Sequence, residues 1–449
     1  MNLSPSYSFR DPDGKVIDTG ERVFRVLADS GWSLYQELVA SGVLSRLGTR
    51  VVKTWVCEDA GTALPRIPAT QGLEGHPVLE HERIPFPSYP CEWSPRMLFD
   101  VGEFLLDLLS FERLPPDLRV WLPQAQFERN FLYPLMIYSF LGLPPGDFFL
   151  KCRDGVELEQ AAGLLCRGFW VLRPTVFTNL FMPVLLGKFF RDPTKGLSST
   201  VQHSSPSPQD ESAREKNLFT LNTLQTILGW KYRRFAPSTS SDMWTRYGEE
   251  AFSYEEAERR EKETFVETFF SSRKGKRVLD VGANTGRFSF IAARAGGRVV
   301  AIDDDLNVVE RIYLRARQEA PDRVLPLRVN FARPTPEFGW NNAEYRSFLS
   351  RSEGAFDVIL FLAVMHHLLI TDRIPLPEIL SLLRRLVREQ VVFEYVDFED
   401  PMVKSLLKGR DALFPDWNRT RFEEVVKGFF SIVEVKPVAR HRWVYILQK

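Results

Sequence analysis

Residues 277–290 read Arg-Val-Leu-Asp-Val-Gly-Ala-Asn-Thr-Gly-Arg-Phe-Ser-Phe, an apolar run that stops at a glycine turn with a carboxylate, Asp280, two positions before the first glycine. Glycine reaches positive φ without steric cost and leaves no Cβ over the turn, so Gly282 and Gly286 make room for a bound molecule. A dinucleotide fingerprint, Gly-x-Gly-x-x-Gly, lays a pyrophosphate on the following helix, but its second glycine position is Asn284 here. A phosphate-binding loop needs Gly-Lys-Ser/Thr, and Gly286 is followed by Arg287 and Phe288. The chemistry left for the loop, Thr285 included, is to hold a ligand with a cationic amine, which Asp280 attracts and which a pyrophosphate lacks.

Four further groups follow in order. Asp303-Asp304-Asp305 ends the apolar run Arg298 to Ile302, about twenty residues after the turn, where an acid accepts ribose hydroxyls. Dinucleotide enzymes share that acid, so it points to adenosine without choosing a cofactor. Asn330-Phe331, closing the run Val324 to Val329, offers an amide to an adenine edge and a ring to its face. His366 and His367 follow the run Phe356 to Leu362; an imidazole titrates near neutral pH and suits a base, or else it caps the next helix. Glu394 and Tyr395 end the next run on the same rim and are weaker candidates.

Positioning these groups takes a doubly wound α/β sheet, in which ligands lie beyond the carboxyl ends of the strands. Seven strands are expected: Arg277 to Val281, Arg298 to Ile302, Val324 to Val329, Phe356 to Leu362, Val391 to Tyr395, Phe430 to Pro437 and Arg442 to Leu447. The last two are close in sequence and should pair as an antiparallel hairpin at the end of an otherwise parallel sheet. A helix over Tyr254 to Phe270 leads into the first strand. Its charged face, Glu255, Glu256, Glu258, Arg259, Arg260 and Glu261, reads as solvated.

Val278 to Gly286, Ala301-Ile302-Asp303 and Phe356-Asp357-Val358-Ile359, in this order, resemble the class I S-adenosylmethionine-dependent methyltransferases from roughly Phe265 to Lys449. The resemblance implies a Rossmann-like seven-stranded domain with S-adenosyl-L-methionine as cofactor. The methionine part would lie on Asp280, Gly282, Asn284, Thr285 and Gly286, the ribose on Asp303 and Asp304, and the adenine on Asn330 and Phe331. Asn330 stands where the family often has Asp. Methyl transfer is an in-line displacement, so the protein mainly aligns donor and acceptor; His366 or His367 would serve as base to a hydroxyl. A non-catalytic scaffold or sensor on the same fold is the alternative. A nicotinamide-dependent oxidoreductase is a third reading, against which Asn284 argues.

The chain has 449 residues, 44% of them apolar, and its 58 basic and 58 acidic residues give a formal net charge of +0. Nothing global steers it toward nucleic acid or an anionic membrane. The start, Met1-Asn2-Leu3-Ser4-Pro5, has no basic and apolar pattern of a secretion signal, so a cytoplasmic location is expected. Trp170 to Phe190 is interrupted by Arg173, Pro174, Asn179, Pro183 and Lys188 and reads as a broken buried helix rather than a membrane span. Cys57, Cys91, Cys152 and Cys166 form no metal-ligand pair and read as reduced, mostly buried thiols, and no metal site is expected.

The expected organisation is a mixed α+β N-terminal recognition domain over 1–195, a Ser/Pro-rich linker over 196–212, a helical lead-in over 213–270 and the catalytic domain over 271–449. In the first of these, Asp11 to Gly14 is a turn, Val23 to Leu27 and Val51 to Cys57 are strands and Ser33 to Val43 is a helix. Pro85 to Trp93 is an extended aromatic loop that packs its rings on the domain, with a lid as the sharper alternative. Tyr232-Arg233-Arg234 and Trp244 to Tyr247 read as packed rings with solvated charges.

Ser8 to Pro12, Ile84 to Tyr89, Leu109 to Glu112, Trp121-Leu122-Pro123, Asp400 to Val403 and Phe414-Pro415-Asp416 also resemble bacterial methyltransferases related to host-specific nodulation proteins. That likeness implies an unidentified acceptor, a small-molecule or carbohydrate hydroxyl, with the N-terminal half recognising substrate or a protein partner. Such relatives carry a longer stretch after the tyrosine-proline loop with an element like a kinase catalytic loop, which is not visible here, where Trp93 is followed almost at once by Glu103 to Glu112; Asp107 stands alone where a base, a phosphate-binding lysine and magnesium ligands are needed together.

Overall fold

A computed structural model describes residues 10–59, 75–109, 124–167, 171–185, 223, 225–237, 256–409 and 417–449. The expected linker 196–212, the cluster Trp244 to Tyr247, and the motifs Trp121-Leu122-Pro123 and Phe414-Pro415-Asp416 lie outside the described residues, as do Ser8-Phe9 and Ser110 to Glu112.

The chain divides into two packed units. The first takes in residues up to Pro87 and the excursion Pro336–Phe348. Its sheet contains β1 (Gly14–Asp18), β2 (Val23–Leu27), β3 (Thr54–Val56) and β4 (Val78–His81), in the order β1-β2-β4-β3 and antiparallel throughout. Ile17, Phe24, Val26, Cys57 and Val78 make its core, and helix α1 (Asp29–Ala40) follows β2. The strand at Val23, the strand within Val51 to Cys57 and the helix are where the pattern places them. β1 and β4 are the additions.

The second unit holds residues Ser88–Ser110, Val120–Thr335 and Leu349–Lys449. Its sheet contains β5 (Arg277–Val281), β6 (Arg298–Asp303), β7 (Val324–Arg328), β8 (Phe356–Phe361), β9 (Val387–Val396), β10 (Ser431–Ala439) and β11 (Arg442–Gln448). The order is β10-β11-β9-β8-β5-β6-β7. β9, β8, β5, β6 and β7 run parallel, whereas β11 runs antiparallel to both β9 and β10. The seven expected strands are all present, with the terminal hairpin at one end. β5 and β8 are buried along nearly their whole length, which is why, Asp280 and Asp357 apart, they read as apolar runs rather than alternating ones.

Helices cover both faces because their apolar residues recur at helical spacing. Ahead of the sheet come α2 (Pro95–Leu109) and α3 (Tyr133–Leu141), then α4 (Glu256–Ser271), α5 (Arg287–Arg294) and α6 (Leu306–Glu319). After β8 come α7 (Met365–Ile370), α8 (Leu376–Leu386), α9 (Pro401–Leu407) and α10 (Arg419–Lys427). α8 buries Leu376, Ile379, Leu380, Leu383 and Leu386. α4 turns Phe265, Val266, Phe269 and Phe270 inward, the stripe that positions i, i+4 and i+5 generate on one face.

α2 is bound to α6 by polar contacts: the Arg96 amide donates to Glu310 Oε2 at 3.1 Å, the Tyr313 hydroxyl donates to Asp100 Oδ2 at 2.9 Å, and Arg317 pairs with the same carboxylate. Tyr232 is core rather than surface: its hydroxyl donates to the Leu98 and Phe99 carbonyls and its ring stacks on Phe99 at 5.0 Å. In the aromatic loop, Glu92 accepts the Tyr89 amide at 3.3 Å and pairs with Arg351, whose guanidinium lies 4.5 Å from the centre of the Tyr89 ring. Among the described residues no helix is long and apolar enough to cross a membrane.

The Arg351 and Glu92 side chains are 1% and 0% exposed, so removing one partner strands a buried charge. Arg351→Met should destabilise the chain by roughly 3–5 kcal/mol, and Glu92→Leu on top of it should recover most of that loss. Denaturant midpoints of the two variants check this; equal midpoints would show that the pair is not what holds the loop down.

Candidate functional site

The turn after β5 has the conformation its composition implies. Gly282 (φ 66), Asn284 (φ 47) and Gly286 (φ 73) are all left-handed. Asparagine tolerates that region better than most residues, so Asn284 keeps a glycine-like backbone without being glycine. A Cβ on Gly282 would lie 2.8 Å from Val364 Cγ2, so the loop after β8 presses directly on this turn. Ala363, just before it, is left-handed at φ 57, a strained conformation for an alanine that the surrounding packing must enforce.

Asp303 joins the turn to the end of β6. Its Oδ2 accepts the Asn284 amide at 2.9 Å and its Oδ1 accepts the Asp305 amide at 3.0 Å. Burial pushes its carboxyl above the usual range, opposed by those two amides. Each oxygen retains a second lone pair for a ligand hydroxyl. Asp304 is exposed and accepts from Asn330 Nδ2 at 2.9 Å, while Asn330 Oδ1 accepts the Ala332 and Arg333 amides. The Asn330 amide therefore ties β7 to β6, and what it retains for a ligand is the second N–H of its NH2 group. Phe331 meets Phe361 edge to face at 5.8 Å.

Asp280 is 2% exposed, and its Oδ2 accepts from the Ser289 hydroxyl at 2.6 Å. Burial pushes its carboxyl up to about 7; Ser289 and Lys262 oppose that shift and Asp303 adds to it. The partner that a buried carboxylate requires is thus partly supplied from within the chain.

The two histidines sit on α7 with ring centres 4.4 Å apart. His367 is exposed. His366 is 1% exposed, and its Nδ1 has no hydrogen-bond partner among the described residues. Burial, then His367, Arg442 and Lys262, push it down to about 3, so it is neutral throughout the physiological range.

Beside it lies a buried ionic chain. Lys262 of α4 donates to Glu394 Oε2, Glu394 Oε1 lies 3.8 Å from Arg442 Nη1, and Arg442 grips Asp400 with two bonds of 2.7 and 3.0 Å. Asp400 also caps α9 through the Met402 amide. Two cations face two anions, so the wall is charged but balanced. Tyr395 does not share the rim with Glu394. Strand alternation turns it to the opposite face of β9, where its ring meets Phe422 at 4.7 Å and its hydroxyl donates to Asp397.

Sequence reading missed Lys262, Ser289, Arg442 and Asp400. Lys262 left a signal: it lies three, four, seven and eight positions before Phe265, Val266, Phe269 and Phe270, inside the apolar stripe of its helix. A lysine there is on the buried face.

These features fit S-adenosylmethionine. The glycine turn leaves a cradle that a Cβ would fill, and the carboxylates at the ends of β5 and β6 suit an ammonium and a ribose. A pyrophosphate would meet Asp280, Asp303 and Asp304 together. The sheet order and the antiparallel hairpin are those of a Rossmann-like methyltransferase fold.

Residues 254–437 match the family model described as a methyltransferase domain. Nodulation protein NoeA of Rhizobium meliloti is 27% identical over 454 aligned residues, covering 92% of this chain and 89% of that one. Among solved structures, magnesium protoporphyrin IX methyltransferase from Synechocystis PCC 6803 with bound S-adenosylhomocysteine is 17% identical, with a TM-score of 0.33, over 48% of this chain and 97% of that one. The N-methyltransferase NodS from Bradyrhizobium japonicum WM9 is 13% identical, with a TM-score of 0.31, over 43% and 98%.

The ionisation of Asp280 works against folding. Its folded value of about 7 lies above the ordinary 3.8, so the folded state binds the proton more tightly and the stability this confers is lost as pH rises between those values. Denaturant midpoints of wild type and Asp280→Asn measured from pH 4 to pH 8 should show wild type losing ground until about pH 7 and no further trend above it; parallel curves would contradict the assignment.

Proposed function

We propose that the methyl group goes to a neutral hydroxyl of a small molecule or carbohydrate. The methionine part of the cofactor lies on Asp280, Gly282, Asn284, Thr285 and Gly286, the ribose on Asp303 beside Asp304, and the adenine against Asn330 and Phe331. The observation that carries this reading is the bond from the Asn284 amide to Asp303, which makes the glycine turn and the ribose acid one continuous surface. When bound, the cofactor supplies a methyl group on a positively charged sulfur.

The chain's own residues then align the acceptor. His366 holds it through the Nδ1 that has no partner among the described residues; with a pKa near 3 it is too weak a base to keep a proton at neutral pH. His367, exposed and tilted against it with ring centres 4.4 Å apart, takes the proton that the hydroxyl loses. The balanced wall around His366 favours an uncharged acceptor group, and the likeness to a nodulation protein supports the small-molecule or carbohydrate class. The N-terminal half recognises that acceptor or a protein partner.

Calorimetric titration with S-adenosylhomocysteine, with NADH as the control, tests the cofactor placement: saturable binding of the first alone is expected. Asp303→Ala should weaken it by roughly 1.5–3 kcal/mol, the range for hydrogen bonds to a charged group, and unchanged affinity would remove Asp303 from the site. With labelled cofactor and a panel of glucose, glucosamine and glucuronate derivatives, His367→Ala should lower methyl incorporation without changing S-adenosylhomocysteine affinity.

A further inference from the structure

A methionine end is a zwitterion: its ammonium suits Asp280, and its carboxylate needs a cation close by. We infer that Lys262 is that cation, a cofactor-positioning residue supplied by the helix that precedes the first strand of the methyltransferase sheet. The inference rests on the cofactor placement proposed above and assigns the part of it that the glycine turn and the acids leave unassigned.

Geometry places Lys262 at the right end of the site. Its Nζ lies 5.1 Å from the centre of the Phe288 ring, in the first turn of α5 directly after Gly286. The next residue, Ser289, is the one that bonds Asp280. On its other side Nζ pairs with Glu394, near the carboxyl end of β9. Lys262 therefore stands between the glycine turn and the strand ends where ligands of this fold lie. Its charge acts on Asp280 and on His366, so it reaches both the methionine side and the acceptor side of the site.

Burial supports the same role. Lys262 is 5% exposed, and an ammonium in that position costs several kcal/mol unless matched. A leucine would complete the α4 stripe at lower cost, and Glu394 has Arg442 on its other oxygen. A buried lysine is well suited to an anion that arrives with the ligand, because an ammonium donates three hydrogen bonds in different directions.

The test separates the amino-acid end from the rest of the cofactor. Wild type, Lys262→Met and Lys262→Arg, as full-length chains, are titrated calorimetrically with S-adenosylhomocysteine and with 5′-methylthioadenosine, which keeps the adenosine and sulfur but lacks the amino acid. Lys262→Met should weaken S-adenosylhomocysteine by about tenfold to a hundredfold and change methylthioadenosine by less than about twofold. Lys262→Arg should retain most of the preference. If Lys262→Met does not fold with Glu394 left facing it, the double variant Lys262→Met/Glu394→Gln removes that charge and should show the same selective loss. Equal weakening of both ligands, or of neither, overturns the role. If wild type binds methylthioadenosine and S-adenosylhomocysteine equally, Lys262 has no carboxylate to hold; if it binds neither, the cofactor placement itself fails.

Discussion

Charge buried at the carboxyl ends of the parallel strands has to be matched, and most of what is specific about this molecule follows from how that is done. Asp280, Lys262, Glu394, Arg442 and Asp400 are each at most 5% exposed, in a region that must also admit a polar ligand. Removing such groups from water costs several kcal/mol apiece unless partners replace the water. The partners come from elements far apart in the chain: α4, β5, α5, β9, the start of α9 and β11 each contribute one. The lead-in helix is therefore not a spacer. It brings the cation that pairs with Glu394, whose other oxygen lies 3.8 Å from Arg442.

Much of the sheet was legible because its strands are buried on both faces and separated by glycine and proline signals. Val278 to Val281 and Phe356 to Phe361 are apolar apart from Asp280 and Asp357, and such runs, bounded by turn residues, read most simply as central strands. The terminal hairpin followed from the short connection between β10 and β11. The small N-terminal sheet was only half legible. β1 and β4 carry charged or half-buried residues, and the pairing of β4 with β2 depends on contacts across more than fifty residues that no local window contains.

The site divides along the same line. The glycine turn and Asp303 announce themselves because backbone conformation demands particular residue types there: Gly282 has no room for a Cβ beside Val364, and Asp303 must bridge two turns. Asn330 is different. Its expected role toward adenine was read from residue type alone, whereas the structure shows most of its amide engaged with Asp304 and its own turn. Glu394 and Tyr395 were paired as neighbours on one rim although the period of a strand separates them. Arg442 and Asp400 escaped because an ion pair between residues forty or more positions apart leaves no spacing to recognise, whereas Lys262 was legible only as a lysine inside an apolar stripe, without its distant partner Glu394.

In the proposed site the balanced wall has a kinetic meaning. Methyl transfer from a sulfonium dissipates positive charge, so an anion left unpaired beside the reacting centre would favour the ground state over the transition state, and only interactions stronger in the transition state speed the chemical step. Glu394 placed there alone would be of that retarding kind. Lys262 and Arg442 cancel its field from either side, and Asp400 in turn fixes Arg442 through two bonds. The neutrality of His366 belongs to the same design, since an imidazolium at that point would oppose the approach of any cationic ligand. Two nearby cations and burial together keep it uncharged, so the groups that raise the cost of charging His366 are the same ones that quench Glu394.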